Sequence, residues 1–139
     1  MSYKIFISHG SGDKFVANHI REKLTENGIE SFLDHLDVDI GNNFREKILG
    51  ELSACDELLC LLTPTSLAKA WVAAEIGAAA IQGKTIVPVK CYIEDEVLQK
   101  RGFFSLFGDV APRSIDELMN DFNSYIEAIQ NRIEEKKNA

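Results

Sequence analysis

Cysteine pairs, basic clusters, long apolar runs and linkers are all missing from this sequence, and each absence narrows what the protein can be. The three cysteines, Cys55, Cys60 and Cys91, are an odd number, with no C-x-x-C and no nearby histidine pair. That excludes a disulfide framework and a zinc-ligand pattern. Unpaired thiols point instead to a reducing compartment. No Lys/Arg run is longer than two residues, and 15 basic against 22 acidic side chains give a formal charge of −7. Nucleic-acid binding draws on neutralising phosphates with cations. It is therefore disfavoured here, as is attraction to an anionic membrane surface. No apolar run approaches the ~18 residues of a membrane span, and the longest candidate, around Ala70–Ile81, is interrupted by Glu75. The opening Met1-Ser2-Tyr3-Lys4 lacks the regions of a signal peptide. No repeat, low-complexity stretch or linker divides the 139 residues. A chain of that size buries roughly two-thirds of its unfolded surface and needs no staple. The expectation is one soluble, cytoplasmic domain over residues 1–139, frayed over about 134–139.

What is present alternates between strand-like and helix-like segments. Ile5-Phe6-Ile7 is a short apolar run that stops at the turn Ser8-His9-Gly10-Ser11-Gly12-Asp13. Val16, Ile20 and Leu24 then trace one helical stripe, closed by Asn27-Gly28. Ile29–Asp34 reads as a second strand, 35–43 as a polar loop, and Phe44, Ile48, Leu52 and Cys55 as a second helical stripe. Leu58–Leu62 is apolar without alternation, as suits a strand covered on both faces. Thr63-Pro64-Thr65-Ser66 breaks it, and a helix is predicted from about Leu67 to Gln82. Thr85–Val89 is a fourth strand, and residues 92–113 are expected to hold a short helix and a short edge strand. Ile115, Leu118, Phe122, Ile126, Ile129 and Ile133 predict one last helix, with Ser114 and Glu117 as its capping box. Such an alternation predicts a parallel sheet with helices on both faces. Ligands of such sheets bind beyond the carboxyl ends of the strands.

The loops reaching that edge carry the unusual residues. Glu75 is a carboxylate amid small apolar residues, in Trp71-Val72-Ala73-Ala74-Glu75-Ile76-Gly77. With Ala68, Val72, Ile76 and Ala79 as the core stripe, Glu75 lies about 100° from Ile76, at the border of the buried face. Trp71 sits one turn earlier on the same side. A solvated Glu beside a half-buried Trp and a functional pair are both open on pattern alone. The glycines of the 8–13 turn let backbone approach a ligand, although most strand-to-helix turns contain Gly and Ser. Asp34, Asp37 and Asp39 lack the glycine offset and closing Glu of a calcium loop. Val38 and Ile40 among those acids suggest a contact surface, with a folded-in loop as the plain alternative. His19 and Cys60 read as structural.

These strings together resemble the Toll/interleukin-1 receptor (TIR) domain family, in its bacterial NAD-cleaving form. Phe6-Ile7-Ser8-His9-Gly10-Ser11-Gly12-Asp13 is similar to its first box, and Phe32-Leu33-Asp34 with Gly41 and Phe44 to its second strand and following loop. Leu58–Ser66 resembles the third strand and its exit, Trp71-x-x-x-Glu75-Ile76 the active-site helix, and Ile86-Val87-Pro88-Val89 the fourth strand. The resemblance covers roughly residues 3–130 in order. It implies a flavodoxin-like, doubly wound parallel sheet of about five strands in the order 2-1-3-4-5. It further implies cleavage of the nicotinamide–ribose bond of NAD+, with Glu75 catalytic. Ser8, His9, Gly10, Ser11, Asp34, Asp39, Phe44 and Trp71 are then expected at the substrate. NAD+ would be the substrate, with no cofactor and no metal. Self-association through residues 35–43 would complete a neighbour's site, and a separate effector protein would sense the product in antiphage defence. Two other readings stand beside it: a non-enzymatic signalling or adaptor module that only assembles, and a nucleoside deoxyribosyltransferase, which the 35–43 loop and Thr63-Pro64 exit resemble less.

Overall fold

The unbroken apolar run at 58–62 becomes the middle of the protein: in the computed structural model every residue of β3 (Glu57–Leu62) is buried. The structure describes residues 3–33, 44–108 and 110–138, with the side chains of Ser11, Phe44, Arg45 and Phe104 outside that description. Around β3 stand β1 (Lys4–Ser8), β2 (Glu30–Leu33), β4 (Thr85–Lys90) and β5 (Arg113–Ser114). All pairs are parallel, in the order β2-β1-β3-β4-β5. This is the α/β, flavodoxin-like architecture that the sequence leads one to expect. The helices are α1 (Lys14–Glu26), α2 (Phe44–Ala54), α3 (Pro64–Leu67), α4 (Ala70–Ile81), α5 (Asp95–Lys100), α6 (Ile115–Asn120) and α7 (Phe122–Lys137).

Strand alternation sorts the core into two layers. Ile5, Ile7, Leu59, Leu61, Val87 and Val89 pack on one face against Ile20 and Leu24 of α1 and Tyr125 and Ile129 of α7. Phe6, Leu58, Cys60, Leu62 and Ile86 pack on the other against Ile48 and Leu52 of α2, Val72 and Ile76 of α4, and Leu98 of α5. Pro88 is tolerated in β4 because β5 pairs only Val89 and Lys90, which leaves β4 a local edge at that point.

Four local expectations change. The helix expected over 67–82 is two helices, α3 and α4. Thr63 starts α3 early: its Oγ1 accepts from Ser66 N at 2.9 Å, Pro64 fills the first helical turn, and extended backbone at Lys69 (φ −97°, ψ 120°) separates the two. The last helix is likewise divided at Asp121 (φ −138°, ψ 63°), whose side chain accepts from Ser124 N at 3.2 Å and restarts it as α7. The apolar spacing runs through both pieces, which is why periodicity misses the break. α7 continues through Lys137, into the stretch expected to fray. His19 is exposed on α1 and not a core residue.

All three thiols are buried. Burial pushes Cys55 up to about 12 and Cys91 up to about 11, and raises Cys60 further still. The thiolate, not the thiol, attacks a labelling reagent. The native protein is therefore expected to label at none of the three at neutral pH, and at all three once denaturant is added. Rapid stoichiometric labelling of the native state would contradict this packing.

Candidate active site

The site is built at the carboxyl edge of β1 and β3. β1 ends on Ser8, whose parity with Phe6 turns it toward the face carrying α4. There Ser8 Oγ donates to Glu75 Oε1 at 2.7 Å, between two fully buried side chains. Sequence reasoning placed Glu75 at the border of the buried face, yet it is 1% exposed. The solvated-Glu alternative is thereby excluded. A helical wheel ranks positions by their own apolar neighbours and cannot see a hydroxyl supplied by a strand 67 residues away. Burying a carboxylate without partners is costly, and the Ser8 hydroxyl offsets part of that cost. The negative charge is felt nearby: after burial, Glu75 also raises the Cys60 thiol, and Cys60 pairs with Ser8 across β1 and β3. Trp71, in the first turn of α4, is half-buried and packs on the same apolar layer. Ala68, assigned by pattern to this helix's core stripe, lies before α4 and is exposed.

Residues 9–13 lock this edge from the other side. His9 is 2% exposed, and its Nδ1 lies 2.8 Å from the Gly10 carbonyl. A carbonyl only accepts, so Nδ1 carries the proton. No partner for Nε2 occurs among the described residues. Gly10 N donates to Asp13 Oδ2 at 3.2 Å, and Thr63 Oγ1 donates to the same oxygen at 2.7 Å. Ser66 Oγ donates to the Leu61 carbonyl at 2.7 Å. Asp13, Thr63 and Ser66 therefore join the loop after β1 to the exit of β3. Sequence reasoning did not single them out for this work, although Ser-x-Asp and Thr-Pro-x-Ser are both helix-start strings.

The glycine at position 10 has a packing reason of its own. A Cβ there would stand 3.0 Å from Ser66 N, 3.1 Å from Ser66 Cα and 3.0 Å from Asp13 Oδ2. Backbone atoms cannot rotate away. Gly10→Ala is expected to destabilise the protein by about 1–3 kcal/mol, and thermal unfolding would measure it. An unchanged melting temperature would contradict the close approach.

Of the residues expected at the substrate, Ser8, His9, Gly10, Trp71 and Glu75 are described in full and lie on the two segments that meet at this edge. Ser11 opens a 3-10 turn over Ser11–Asp13, and Phe44 opens α2, but the side chains of both lie outside the described residues. Asp34 and Asp39, with the whole of 34–43, lie outside them as well. Among the described residues no three His, Cys, Asp or Glu side chains gather as a metal site, and no helix is long and apolar enough to cross a membrane. The chemistry on offer is a buried carboxylate held in place by a hydroxyl, one helical turn from an indole. Such a group stabilises positive charge that develops beside it.

Known proteins resemble this chain in sequence and in fold. The family model described as "TIR domain" matches residues 5–119. The 2' cyclic ADP-D-ribose synthase BtTIR of Bacteroides thetaiotaomicron is 31% identical over 142 residues, covering 98% of this chain and 45% of that protein. The chain thus spans less than half the length of that relative. Among solved structures, the TIR domain of the Toll-related receptor TRR-2 from the lower metazoan Hydra magnipapillata superposes with a TM-score of 0.68 at 16% identity, covering 93% of this chain and 99% of that one. The TIR domains of the activated Roq1 resistosome, which directly recognises the pathogen effector XopQ, give 0.66 at 16% identity, covering 95% and 99%. At that identity the structural likeness speaks for the fold.

Proposed function

The chain belongs to the TIR domain family, and from that premise we propose that it is an NAD+ nucleosidase or cyclase that breaks the bond between nicotinamide and ribose. The observation that carries this reading is the buried Glu75 carboxylate, hydrogen-bonded by Ser8 at the carboxyl edge of the sheet. Nicotinamide is a cationic leaving group and departs as a neutral molecule without a proton. Positive charge then develops on the ribose as an oxocarbenium ion, as in glycoside cleavage. Glu75 faces that charge and stabilises it. Ser8 is the positioning residue that keeps the carboxylate oriented, and Trp71 offers an aromatic surface to the substrate. NAD+ enters as substrate, and the reaction requires no further cofactor.

The oxocarbenium can be captured by water, by adenine, by a ribose hydroxyl or by an added nucleophile. The outcomes are ADP-ribose, a cyclic ADP-ribose isomer or a conjugate. The name of the bacterial relative favours ring closure. We read the product as a diffusible antiphage signal made in the cytoplasm and sensed by a separate effector protein. The test incubates purified protein with NAD+ at high protein concentration or with a crowding agent, and follows nicotinamide by chromatography. No release by folded protein under any assembly condition would overturn the enzyme reading in favour of a non-enzymatic assembly module. Mass spectrometry showing only linear ADP-ribose would count against the cyclic product.

Assembly is part of the proposal. Residues 35–43 are taken to pack on the next copy and complete its site. Activity is then expected to rise more steeply than first order in protein concentration, and added salt to favour assembly, since the charge of −7 opposes it. Mixing inactive Glu75→Gln protein with an inactive Asp39 or Gly41 variant is expected to restore part of the activity. Strict proportionality with no rescue would mean that each chain holds a complete site.

A further inference from the structure

A concavity opens at the same edge of the sheet, on the α1 face and not the α4 face. It is a cleft of about 160 Å³ lined by Asp13, Val16, Leu61, Thr63, Pro64, Thr65, Cys91 and Tyr92. Its floor is apolar, from Val16, Leu61, Pro64 and Cys91. Its polar groups are one carboxylate and the hydroxyls of Thr63, Thr65 and Tyr92, and no cation lines it among the described residues. Asp13 also stands just before the first turn of α1, so its carboxylate adds negative charge beside the helix end that would otherwise favour an anion. Asp13 and Asp116 both add to burial in raising the Cys91 thiol, a sign that the local field is negative.

Size and rim narrow the occupant. A cavity of roughly 150 Å³ holds a single benzene ring, so a dinucleotide is far too large. Tyr92 stands at the rim with φ 63° and is 92% exposed. Left-handed backbone is unusual for an aromatic residue, and here it holds an unstacked phenol ring in solvent beside the opening. Such a ring is placed to stack on a planar or cationic guest.

We propose that this cleft is a second ligand site, taking one planar ring that carries an N–H donor, neutral or cationic, such as an aromatic amide. The ring would lie on Val16, Leu61 and Cys91 beneath Tyr92, with its N–H donating to Asp13. Asp13 Oδ2 already holds Gly10 N and Thr63 Oγ1, and Gly10 follows Ser8, the partner of Glu75, by two residues. A guest that engages Asp13 therefore acts on the loop that positions Glu75. The product released in the reaction proposed above is such an amide. That link, by which the protein senses its own product, rests on that reading; binding in the cleft does not.

The experiment uses the wild-type chain without NAD+ and titrates nicotinamide, benzamidine and nicotinate while backbone amide shifts are followed by NMR. Nicotinamide and benzamidine are expected to give saturable shifts at residues 12–16, 63–66 and 91–93. Nicotinate, an anion of the same shape, is expected to bind at least tenfold more weakly. Thr65→Trp, an exposed position at the mouth, is expected to abolish those shifts. Tyr92→Gly, which removes the rim ring and relieves the backbone, is expected to weaken them severalfold and serves if Thr65→Trp does not fold. Shifts confined to the surroundings of Trp71 and Glu75 would overturn the proposal, as would nicotinate binding equal to nicotinamide or binding unaffected by either variant. A protein that fills the cleft but releases no nicotinamide from NAD+ would sink the enzyme reading and leave the cleft standing. Turnover without cleft shifts would do the reverse.

Discussion

Glu75→Gln is expected to slow nicotinamide release from NAD+ by about 10²–10³-fold or more, with the fold retained. The two side chains have nearly the same volume. A glutamine oxygen at the Oε1 position still accepts from Ser8 Oγ, now 2.7 Å away. What disappears is the charge facing the developing cation, in a site where burial makes that charge count for more than it would in water. The melting temperature is expected to stay within a few degrees, because a neutral amide also sheds the desolvation cost of a buried carboxylate. Glu75→Ala is a poorer test, since it leaves the buried Ser8 hydroxyl without its acceptor and costs about 1–3 kcal/mol. Ser8→Ala separates positioning from charge. It is expected to lower kcat more than it raises KM, and Ser8→Thr, which keeps the hydroxyl, is expected to recover part of the loss. If Glu75→Gln keeps more than about a tenth of the activity, far outside the range for a preorganised charge, Glu75 does not stabilise the transition state.

Particular residues show what could be read in advance. The two covered faces of the sheet follow from β3, where Leu58–Leu62 admits no polar face, and from helical stripes on either side of it, whereas the strand order came only with the TIR resemblance. Glu75 stood out because a carboxylate among alanines contradicts its neighbours. Its depth did not, because the donor that permits it is Ser8, distant in sequence and unremarkable on its own strand. The breaks at Lys69 and Asp121 were hidden for a related reason: apolar spacing does not register the extended backbone at Lys69 or the side-chain cap that Asp121 gives Ser124 N. Glu57 is the fullest omission. It precedes an apolar run, and nothing in the local pattern marks it as a buried position. Instead it is fully buried, because three partners from the chain's beginning and end converge on it.

Those partners set the second large effect. At the amino edge of the sheet, opposite Glu75, Glu57 Oε1 accepts from Tyr3 Oη at 2.6 Å and Arg132 Nε at 2.7 Å. Its Oε2 accepts from Tyr125 Oη at 2.7 Å and Arg132 Nη2 at 3.1 Å. Arg132→Met keeps most of the apolar stem and removes the guanidinium, leaving a buried carboxylate with two phenols. Breaking a buried pair in this way costs about 3–5 kcal/mol. The lower end applies, because the arginine side chain is 22% exposed and the tyrosines remain. About 3 kcal/mol corresponds to a fall of roughly 10 °C in Tm for a domain of this size, with kcat/KM of the folded protein little changed, since the active-site edge is untouched. Glu57→Gln combined with Arg132→Met is expected to regain part of the loss, because the stranded charge is then gone. A pH series reads the same cluster independently. Burial first, and then Glu57, raise both Tyr3 and Tyr125 above their ordinary value of 10. The unfolded chain therefore releases these protons first as pH rises. The stability they contribute is complete below about pH 10 and declines above it as the folded tyrosines are approached. Tyr3→Phe with Tyr125→Phe is expected to flatten that alkaline decline. A wild-type Tm that holds steady from pH 9 to 11, or an Arg132→Met protein as stable as wild type, would show that this cluster does not hold α7 to the sheet.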